Sequence, residues 1–491
     1  MSPRLHLPWL ATTSVMLATI IQVLDTTIAN VALPHMQGHL GAGSDQITWV
    51  LTSYIVATAI MTLPVGYLAK RYGRREVMLT AVVGFTLTSM LCGQAGSLEE
   101  MVFWRILQGV FGAPLAPLSQ SIMLDSYPRE KHASAMSLWG MGVMLGPILG
   151  PTLGGWLTDA YSWRWVFYIN VPLGIISFVG IWLTIAPSPR ERQRMDFGGF
   201  LLLALAVACL QLLLDRGEHV DWFEALEIQI YCLLALLAMY LFTVHSVGNR
   251  NSFLSPALFR DRNFVTGTLF TFLLGIVLLA TMALMPPFLQ QWQGYPVMTA
   301  GMVLMPRGIG TMAGMLAAPR LLRYVDARAV ILAGMSLLCV SLWQMSGFTL
   351  EVGTRDLIIT GLLQGLGLGL VVVPTTTLAY ATLDPQLRNE GAGLYSLARN
   401  LGNSIGVAIV MSVLTRKLWI NQQELSERLQ PDPALLALLP DTSTLTAVPG
   451  MLIGEVQRQA AEIAFANDFL LLLWINLLAM PLVLLLREAR H

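Results

Sequence analysis

The sequence predicts an all-α integral membrane protein with fourteen transmembrane helices. Three observations lead there. Of 491 residues only 12% are charged and 55% are hydrophobic, with a mean hydropathy of +0.64. Soluble domains carry about 25% charge, so this chain has too little polar surface to face water all round. Apolar runs of roughly 20 residues, the length that crosses a bilayer core, recur from end to end. Basic residues gather in every second loop between those runs, as they do on the cytoplasmic side of a membrane.

The runs fall at 10–33, 46–69, 77–96, 101–123, 134–158, 164–186, 198–215, 223–245, 263–289, 298–318, 329–349, 355–379, 390–415 and 465–486. The first lacks a small-residue cleavage site and reads as a retained helix, not a signal peptide. Arg4 precedes it. Lys70, Arg71, Arg74 and Arg75 follow the second run, and Arg129 and Lys131 the fourth. Arg190, Arg192 and Arg194 follow the sixth, and Arg250, Arg260 and Arg262 the eighth. Arg320, Arg323 and Arg328 follow the tenth, Arg388 the twelfth, and Arg487 and Arg490 the last. The short loops on the other side hold only Arg164, Arg216 and Arg355. The expected topology therefore puts both termini in the cytoplasm. The 42 glycines and 25 prolines, poor for soluble helices, are ordinary in membrane spans.

Several classes are excluded. Formal net charge is zero, and no basic cluster interleaved with aromatics suggests a nucleic-acid partner. Cys92, Cys209, Cys232 and Cys339 all sit in apolar runs, which argues against a disulfide framework or a zinc site. No G-x-x-x-x-G-K-[ST] phosphate loop occurs, so energy comes from an ion gradient, with no cofactor expected, or the chain uses none. No His-Glu metal cluster or nucleophile–base pair stands within the helices, and the chain does not read as an enzyme.

The halves repeat. Leu107-Gln108-Gly109 in the fourth run returns as Leu363-Gln364-Gly365 in the twelfth. Arg71-Tyr72 after the second returns as Arg323-Tyr324 after the tenth, and Leu33-Pro34 as Met285-Pro286. Duplicated six-helix units flanking two extra helices give a 6+2+6 arrangement. Its parts are 1–190, 191–250 and 251–491, the last with an outer loop at about 416–463. Two similar bundles can rock about a midplane site and expose it to each side in turn, which is transport.

Four stretches carry a family resemblance. They are Leu24-Asp25-Thr26-Thr27-Ile28-Ala29-Asn30-Val31-Ala32-Leu33-Pro34 in the first helix; Gly66-Tyr67-Leu68-Ala69-Lys70-Arg71-Tyr72-Gly73-Arg74-Arg75 after the second; Arg105-Ile106-Leu107-Gln108-Gly109 in the fourth; and Gly146-Pro147-Ile148-Leu149-Gly150-Pro151 in the fifth. Together and in this order they resemble the major facilitator superfamily, and within it the fourteen-helix drug–proton antiporters of the EmrB/QacA type. The resemblance spans nearly the whole chain and is strongest over residues 20–175. It implies the major facilitator fold, proton-coupled multidrug efflux and a place in the bacterial inner membrane. It also implies a cytoplasmic gate motif (Gly66, Lys70, Arg71, Gly73, Arg74, Arg75) and an antiporter motif (Gly146, Pro147, Gly150, Pro151). One departure matters: Lys70 stands where the superfamily usually has an aspartate that locks the outward-facing state, so that locking role does not carry over. The gate loop has a plainer reading as a topology signal, and the glycine–proline run as ordinary helix packing rather than a seal.

Asp25, Arg105, Arg307 and Arg399 lie within spans. Each costs about 2.5–3.5 kcal/mol at a span centre, so each must pair or face a wet cavity. Asp25 and Arg105 sit at depths differing by under ~10 Å, within reach of one arginine. Helices one and four line the central cavity in the resembled superfamily. Asp25 is therefore expected to bind the transported proton with Arg105 tuning it; a permanent structural ion pair is the competing reading. Asp25 has no counterpart in the second half, where the repeat brings Ile276-Val277. Candidate cavity residues are Asp25, Arg105, Gln108, Gln364, Arg307, Arg399 and Asn403. Arg307 and Arg399 either face the cavity or bind partners such as Asn403. One acid against three bases favours amphiphilic, weakly acidic substrates. The 25 methionines and 13 tryptophans read mainly as lipid-facing or interfacial.

The outer segment mixes Asn421-Gln422-Gln423-Glu424 with Leu435-Leu436-Ala437-Leu438-Leu439. The resemblance implies a periplasmic adaptor protein and an outer-membrane channel as partners, received there; an inert linker is the alternative. Competing functions are an importer or uniporter of a specific metabolite on the same fold, and a membrane sensor or scaffold. Asp25 and the antiporter motif argue against the first, and the repeated gate loop against the second.

Overall fold

The computed structural model describes residues 8–188, 190, 195–249, 253–428 and 442–486, nearly all helical. The principal helices are α1 (Pro8–Leu40), α2 (Trp49–Thr62), α3 (Val65–Tyr72), α4 (Arg74–Gln94), α5 (Leu98–Gly112), α6 (Leu115–Ser126), α7 (His132–Ala160) and α8 (Asn170–Thr184). They continue with α9 (Phe197–Arg216), α10 (Leu226–Gly248), α11 (Arg262–Pro287), α12 (Val297–Leu321), α13 (Ala327–Ser346), α14 (Thr354–Ala381), α15 (Arg388–Arg428) and α16 (Thr442–Ala479). Arg4, Arg192, Arg194, Arg250, Arg487, Arg490 and the 435–439 run lie outside the described residues, as does the side chain of Pro151.

Among the described residues twelve helices are long and apolar enough to cross a membrane, with α5 and α6 forming one of them. The pair α2–α3, bent by 56° beside Pro64, makes a thirteenth. This is an all-α integral membrane architecture. It falls short of the expected fourteen at α12, which fills the place expected at 298–318. Arg307, Arg320 and four glycines (Gly301, Gly308, Gly310, Gly314) dilute its hydropathy below that of its neighbours.

The segment expected as an outer loop is helical at both ends. α15 runs on to Arg428 and α16 begins at Thr442. Loss of hydropathy marks where a helix leaves the membrane, not where it ends. The stretch Lys417–Arg428 is rich in Leu, Gln, Glu, Lys and Arg, all good helix formers.

The repeat reappears in packing. α1 packs along α7 and α8, as α11 packs along α15 and α16. α5 packs on α2 and α4, as α14 does on α12 and α13. α4 meets α8 as α13 meets α16. Across the two sets, α7 lies against α12: Ser137 Oγ donates to the Met315 carbonyl at 2.5 Å, and a Cβ on Gly140 would come within 2.9 Å of Met315 Sδ. α9 bridges both sets. Thr52 on α2 donates to Asp215, and Gln211 Nε2 donates to Ser404 Oγ on α15 at 2.8 Å. α10 packs on α9 and is otherwise open, only 11% of its apolar window being buried, as suits a helix facing lipid.

Candidate functional site

Asp25 and Arg105 meet in the interior. Both side chains are fully buried, and Arg105 Nη1 donates to Asp25 Oδ2 at 2.6 Å. The other carboxylate oxygen accepts from Gln108 Nε2 and from Asn170 Nδ2, each at 2.9 Å. Arg105 also donates through Nε to the Val50 carbonyl at 2.9 Å and through Nη1 to Gln108 Oε1 at 2.8 Å. Spacing explains the grouping: Arg105 and Gln108, three apart, share one face of α5. Asn170 opens α8 and is held by the Ser89 hydroxyl at 3.0 Å. Side chains from α5 and α8 thus converge on the carboxylate carried by α1.

Tyr54 on α2 joins this cluster to the interior cavity. Its ring lies 4.2 Å from Arg105 Cζ, in cation–π geometry. The same side chain lines a central cavity of about 310 Å³ between the two helix sets. Thr58, Trp139, Gln211, Arg399, Asn400 and Asn403 also contribute to its wall. Among the described residues Arg399 is the one lining side chain with a formal charge, 5.6 Å from the Trp139 ring and donating to Ser396 Oγ at 3.3 Å. Asn403 Oδ1 is buried without a hydrogen-bond partner among the described residues.

Of the seven residues expected in the cavity, Arg399 and Asn403 line it. Asp25, Arg105 and Gln108 sit behind Tyr54, because α2 lies between α5 and the opening. Arg307 is not among the lining residues; it is buried and donates from Nη2 to the Leu278 carbonyl at 3.0 Å. Gln364 occupies the α14 position matching Gln108, but it reaches Thr281 Oγ1 at 3.4 Å and no carboxylate. Sequence depth places a side chain along a helix without fixing its azimuth, which is why these five were drawn toward the cavity.

The glycines of α7 set the position of Asp25. A Cβ on Gly146 would stand 2.6 Å from Val23 Cγ1, and one on Gly150 would stand 2.2 Å from Thr27 Oγ1. Gly146, Gly150 and Gly154 lie four apart on one face and press on α1 from Val23 to Ile28. Thr27 Oγ1 donates to the Gly146 carbonyl at 3.1 Å. Pro147, on the next face, lines the cavity.

The loop between α3 and α4 closes one end of the bundle. Gly73 caps α3 at φ +94°, a conformation that favours glycine. A Cβ on Gly66 would stand 2.6 Å from Glu390 Cα, so the backbones of α3 and α15 touch. Lys70 forms an ion pair with Glu390 at 3.6 Å, and Glu390 also accepts from the Ser255 amide. Arg74 pairs with Asp125, which pairs in turn with Arg388 Nη1 at 2.5 Å. Ser121 Oγ donates to Asn389 Oδ1 at 2.6 Å. Arg75 Nη2 donates to the Trp182 carbonyl at 2.8 Å. So Lys70 does tie the two helix sets together, with the sign of the pair opposite to an aspartate lock. In the repeated loop Tyr324 is 87% exposed and Asp326 caps α13 through the Arg328 amide.

Sequence reasoning missed Asp125, Glu390 and Asp468. The first two are acids at helix ends facing the gate arginines and lysine, and the repeat of charges in that loop was the available signal. Asp468 is a carboxylate inside an apolar run, the same signal that Asp25 gives, but its place near the start of the last expected span concealed it.

The comparisons agree with this geometry. A family model described as Major Facilitator Superfamily matches residues 15–407. The chain is 35% identical over 428 residues to the multidrug export protein EmrB of Haemophilus influenzae, covering 86% of this chain and 83% of that one. It is 35% identical over 435 residues to the fatty acid resistance protein FarB of Neisseria gonorrhoeae, covering 88% and 85%. The human organic anion transporter MFSD10 (TETRAN) superposes with a TM-score of 0.60 at 15% identity, over 97% of this chain and all of that one, which shows the shared fold. This chain belongs to the major facilitator superfamily, among the multidrug efflux proteins typified by EmrB and FarB.

Proposed function

We propose that this multidrug efflux transporter is a substrate:H⁺ antiporter of the bacterial inner membrane. It has fourteen spans in a 6+2+6 arrangement, α12 supplying the fourteenth, and both termini are cytoplasmic. Six-helix bundles at 1–190 and 251–491 rock about the central cavity, while α9 and α10 (within 191–250) brace them. At roughly 1.5 Å per residue the 25 residues of α12 exceed the ~30 Å core.

Asp25 carries the proton, and Arg105 pairs with its carboxylate when the proton has left. The single observation behind this reading is Tyr54, whose ring touches the Arg105 guanidinium on one side and the cavity on the other. Substrate entering beside Tyr54 displaces the ring and shifts the guanidinium that pairs with the Asp25 carboxylate. Protonation of Asp25 releases Arg105 and relaxes α2, whose Val50 carbonyl accepts from that same arginine. The bend beside Pro64 lets α2 move while α3 stays at the gate.

Arg399, the lone formal charge in a largely apolar wall, selects amphiphilic molecules with an acidic group. The name of FarB, a fatty acid resistance protein, is in keeping with that class. The 41-residue α15 and 38-residue α16 project beyond the bilayer as a pair, joined where Asn421 Nδ2 donates to the Ala460 carbonyl at 3.3 Å. That pair is where a periplasmic adaptor and, through it, an outer-membrane channel would engage.

The test is uptake of an amphiphilic acid into inverted vesicles under an imposed pH gradient. Wild type accumulates substrate only with the gradient. Accumulation by Asp25→Asn with unchanged gradient dependence would remove Asp25 from the mechanism.

A further inference from the structure

The second helix set holds a buried carboxylate that the reading above does not use. Asp468 lies in α16 with no exposed surface. Neither carboxylate oxygen has a hydrogen-bond partner among the described residues, and no ion pair reaches it there. Its helix neighbours one turn away are Ala464, Phe465 and Leu472, which with Phe469 belong to a wholly apolar cluster with Leu284, Phe288 and Leu342. Asp468 therefore sits buried on a helix segment whose neighbours are apolar, with no partner for its charge among the described residues.

The repeat tells what position this is. Phe167-Tyr168-Ile169-Asn170 opens the last helix of the first set, and Phe465-Ala466-Asn467-Asp468 stands at the matching place in α16. Phe167 and Phe465 are both fully buried, as are Asn170 and Asp468. α8 packs on α4 and α1, and α16 packs on α13 and α11. Ser89, which holds Asn170, has its counterpart in the buried Ser341 of α13. Gln108 Oε1 accepts from Cys92 Sγ at 3.5 Å, and Gln364 Nε2 lies 4.0 Å from Met345 Sδ, a member of the cluster around Asp468. The first set thus has an acid on its first helix and an amide on its sixth. The second set has the acid on its sixth and, at the place of Asp25, the apolar pair Ile276-Val277.

We propose that Asp468 is a second proton-binding site, so that the transporter carries one proton in each helix set. It rests on the antiport reading. An unpaired carboxylate in an apolar cluster is stable only as the neutral acid, so the site holds its proton in the conformation described. Losing it requires water or a donor to reach the carboxylate, which rearrangement of α16 against α11, α13 and α15 would supply. The uptake step is simple: H⁺ adds to one carboxylate oxygen, charge falls from −1 to 0, and release to the opposite side restores it. Titratable and charged groups on the packed elements leave the site to itself. α11 offers Arg262 at its far end, and α13 offers Arg328 at its start and Cys339, which accepts from Asn476. α15 offers Arg388, Glu390 and Arg399 toward the gate and cavity, and Tyr395 there bonds with Thr376. Beyond these, Arg416 and Lys417 are exposed and Glu424, Glu427 and Arg428 lie on the projecting part of α15. On α16 itself Glu455 pairs with Arg458, and Glu462 accepts from the Leu350 amide.

The experiment uses the purified full chain in nanodiscs, with the anionic amphiphile 8-anilinonaphthalene-1-sulfonate as probe. Two quantities are read: the infrared C=O stretch of a protonated carboxylic acid in the resting protein, and protons released per probe bound in weak buffer. The expected result is a C=O band that vanishes in Asp468→Asn, persists in Asp25→Asn and shifts in Asp468→Glu. Proton release on probe binding should be lost in Asp468→Asn and kept in Asp25→Asn, whose carboxylate is already ion-paired with Arg105 in this conformation. A C=O band unchanged in Asp468→Asn, or undiminished release in that variant, overturns the proposal while leaving antiport through Asp25 intact. If wild type releases no proton on saturation, the antiport reading itself falls and Asp468 is no transport site. Asp468→Glu guards against a folding artefact: it keeps the acid, so the account expects it to restore release.

Discussion

Tyr54 lies face-on to Arg105, with the guanidinium carbon 4.2 Å from the ring centroid, and forms part of the cavity wall. Arg105 itself is fully buried behind that ring. Replacing Tyr54 by Leu keeps the bulk and removes the π face. The account predicts that substrate still binds within a few-fold, while protons moved per substrate become irregular and leak without substrate rises. Binding and proton flux measured on the same preparation separate the two effects.

Arg399 is the charge available to a ligand in the cavity. Arg399→Gln should weaken binding of amphiphilic acids about tenfold, which is about 1.4 kcal/mol. It should leave neutral amphiphiles unchanged, and Arg399→Lys should recover part of the loss. Fluorescence titration with acid and ester forms of one probe decides it; equal losses for both forms would assign Arg399 to packing.

Lys70 and Glu390 cross between the helix sets at 3.6 Å, each under a fifth exposed. Reversing either charge, Lys70→Glu or Glu390→Lys, should loosen that end of the bundle and lower transport several-fold. Exchanging both should recover much of it, because the pair needs opposite signs rather than particular places. Glu390 also accepts from the Ser255 amide, so recovery is incomplete. A double variant no better than the worse single one would reduce the pair to a surface contact.

Gly150 has no room for a side chain, since its Cβ would stand 2.2 Å from Thr27 Oγ1. Gly150→Val should push α7 off α1 and destabilise the protein by about 1–3 kcal/mol. Gly155, with nothing within 4 Å, should tolerate alanine. Thermal unfolding in detergent reports the first effect, and transport by the stable Gly155→Ala shows that the second is harmless.

Much of this was legible in the sequence, for physical reasons. Bilayer thickness fixes span length, so hydropathy found the helices, the run at 298–318 included, although the glycines and arginines of α12 leave it less apolar than the other spans. Helix rise fixes depth, so Asp25 and Arg105 could be paired across two helices. The internal repeat was legible too, and α1 packs on α7 as α11 packs on α15. Azimuth was not legible, and so Gln108, Arg307 and Gln364 were assigned to a cavity they do not line. Nor was the partner of Lys70, because Glu390 lies 320 residues away and its approach depends on Gly66 letting α3 and α15 touch. Asp468 was legible in principle as an acid within an apolar run, but only its burial without a partner distinguishes it from an acid at a span end.

The central claim is that Asp25 carries the exchanged proton. Its most direct test is proton movement in sealed vesicles of reconstituted protein on adding a panel of amphiphilic acids and cations, with no gradient imposed. The account predicts proton movement triggered by acids in wild type and sharply reduced in Asp25→Asn, with substrate binding retained. Substrate crossing in wild type with no accompanying proton, or an Asp25→Asn variant that moves protons as wild type does, would contradict it.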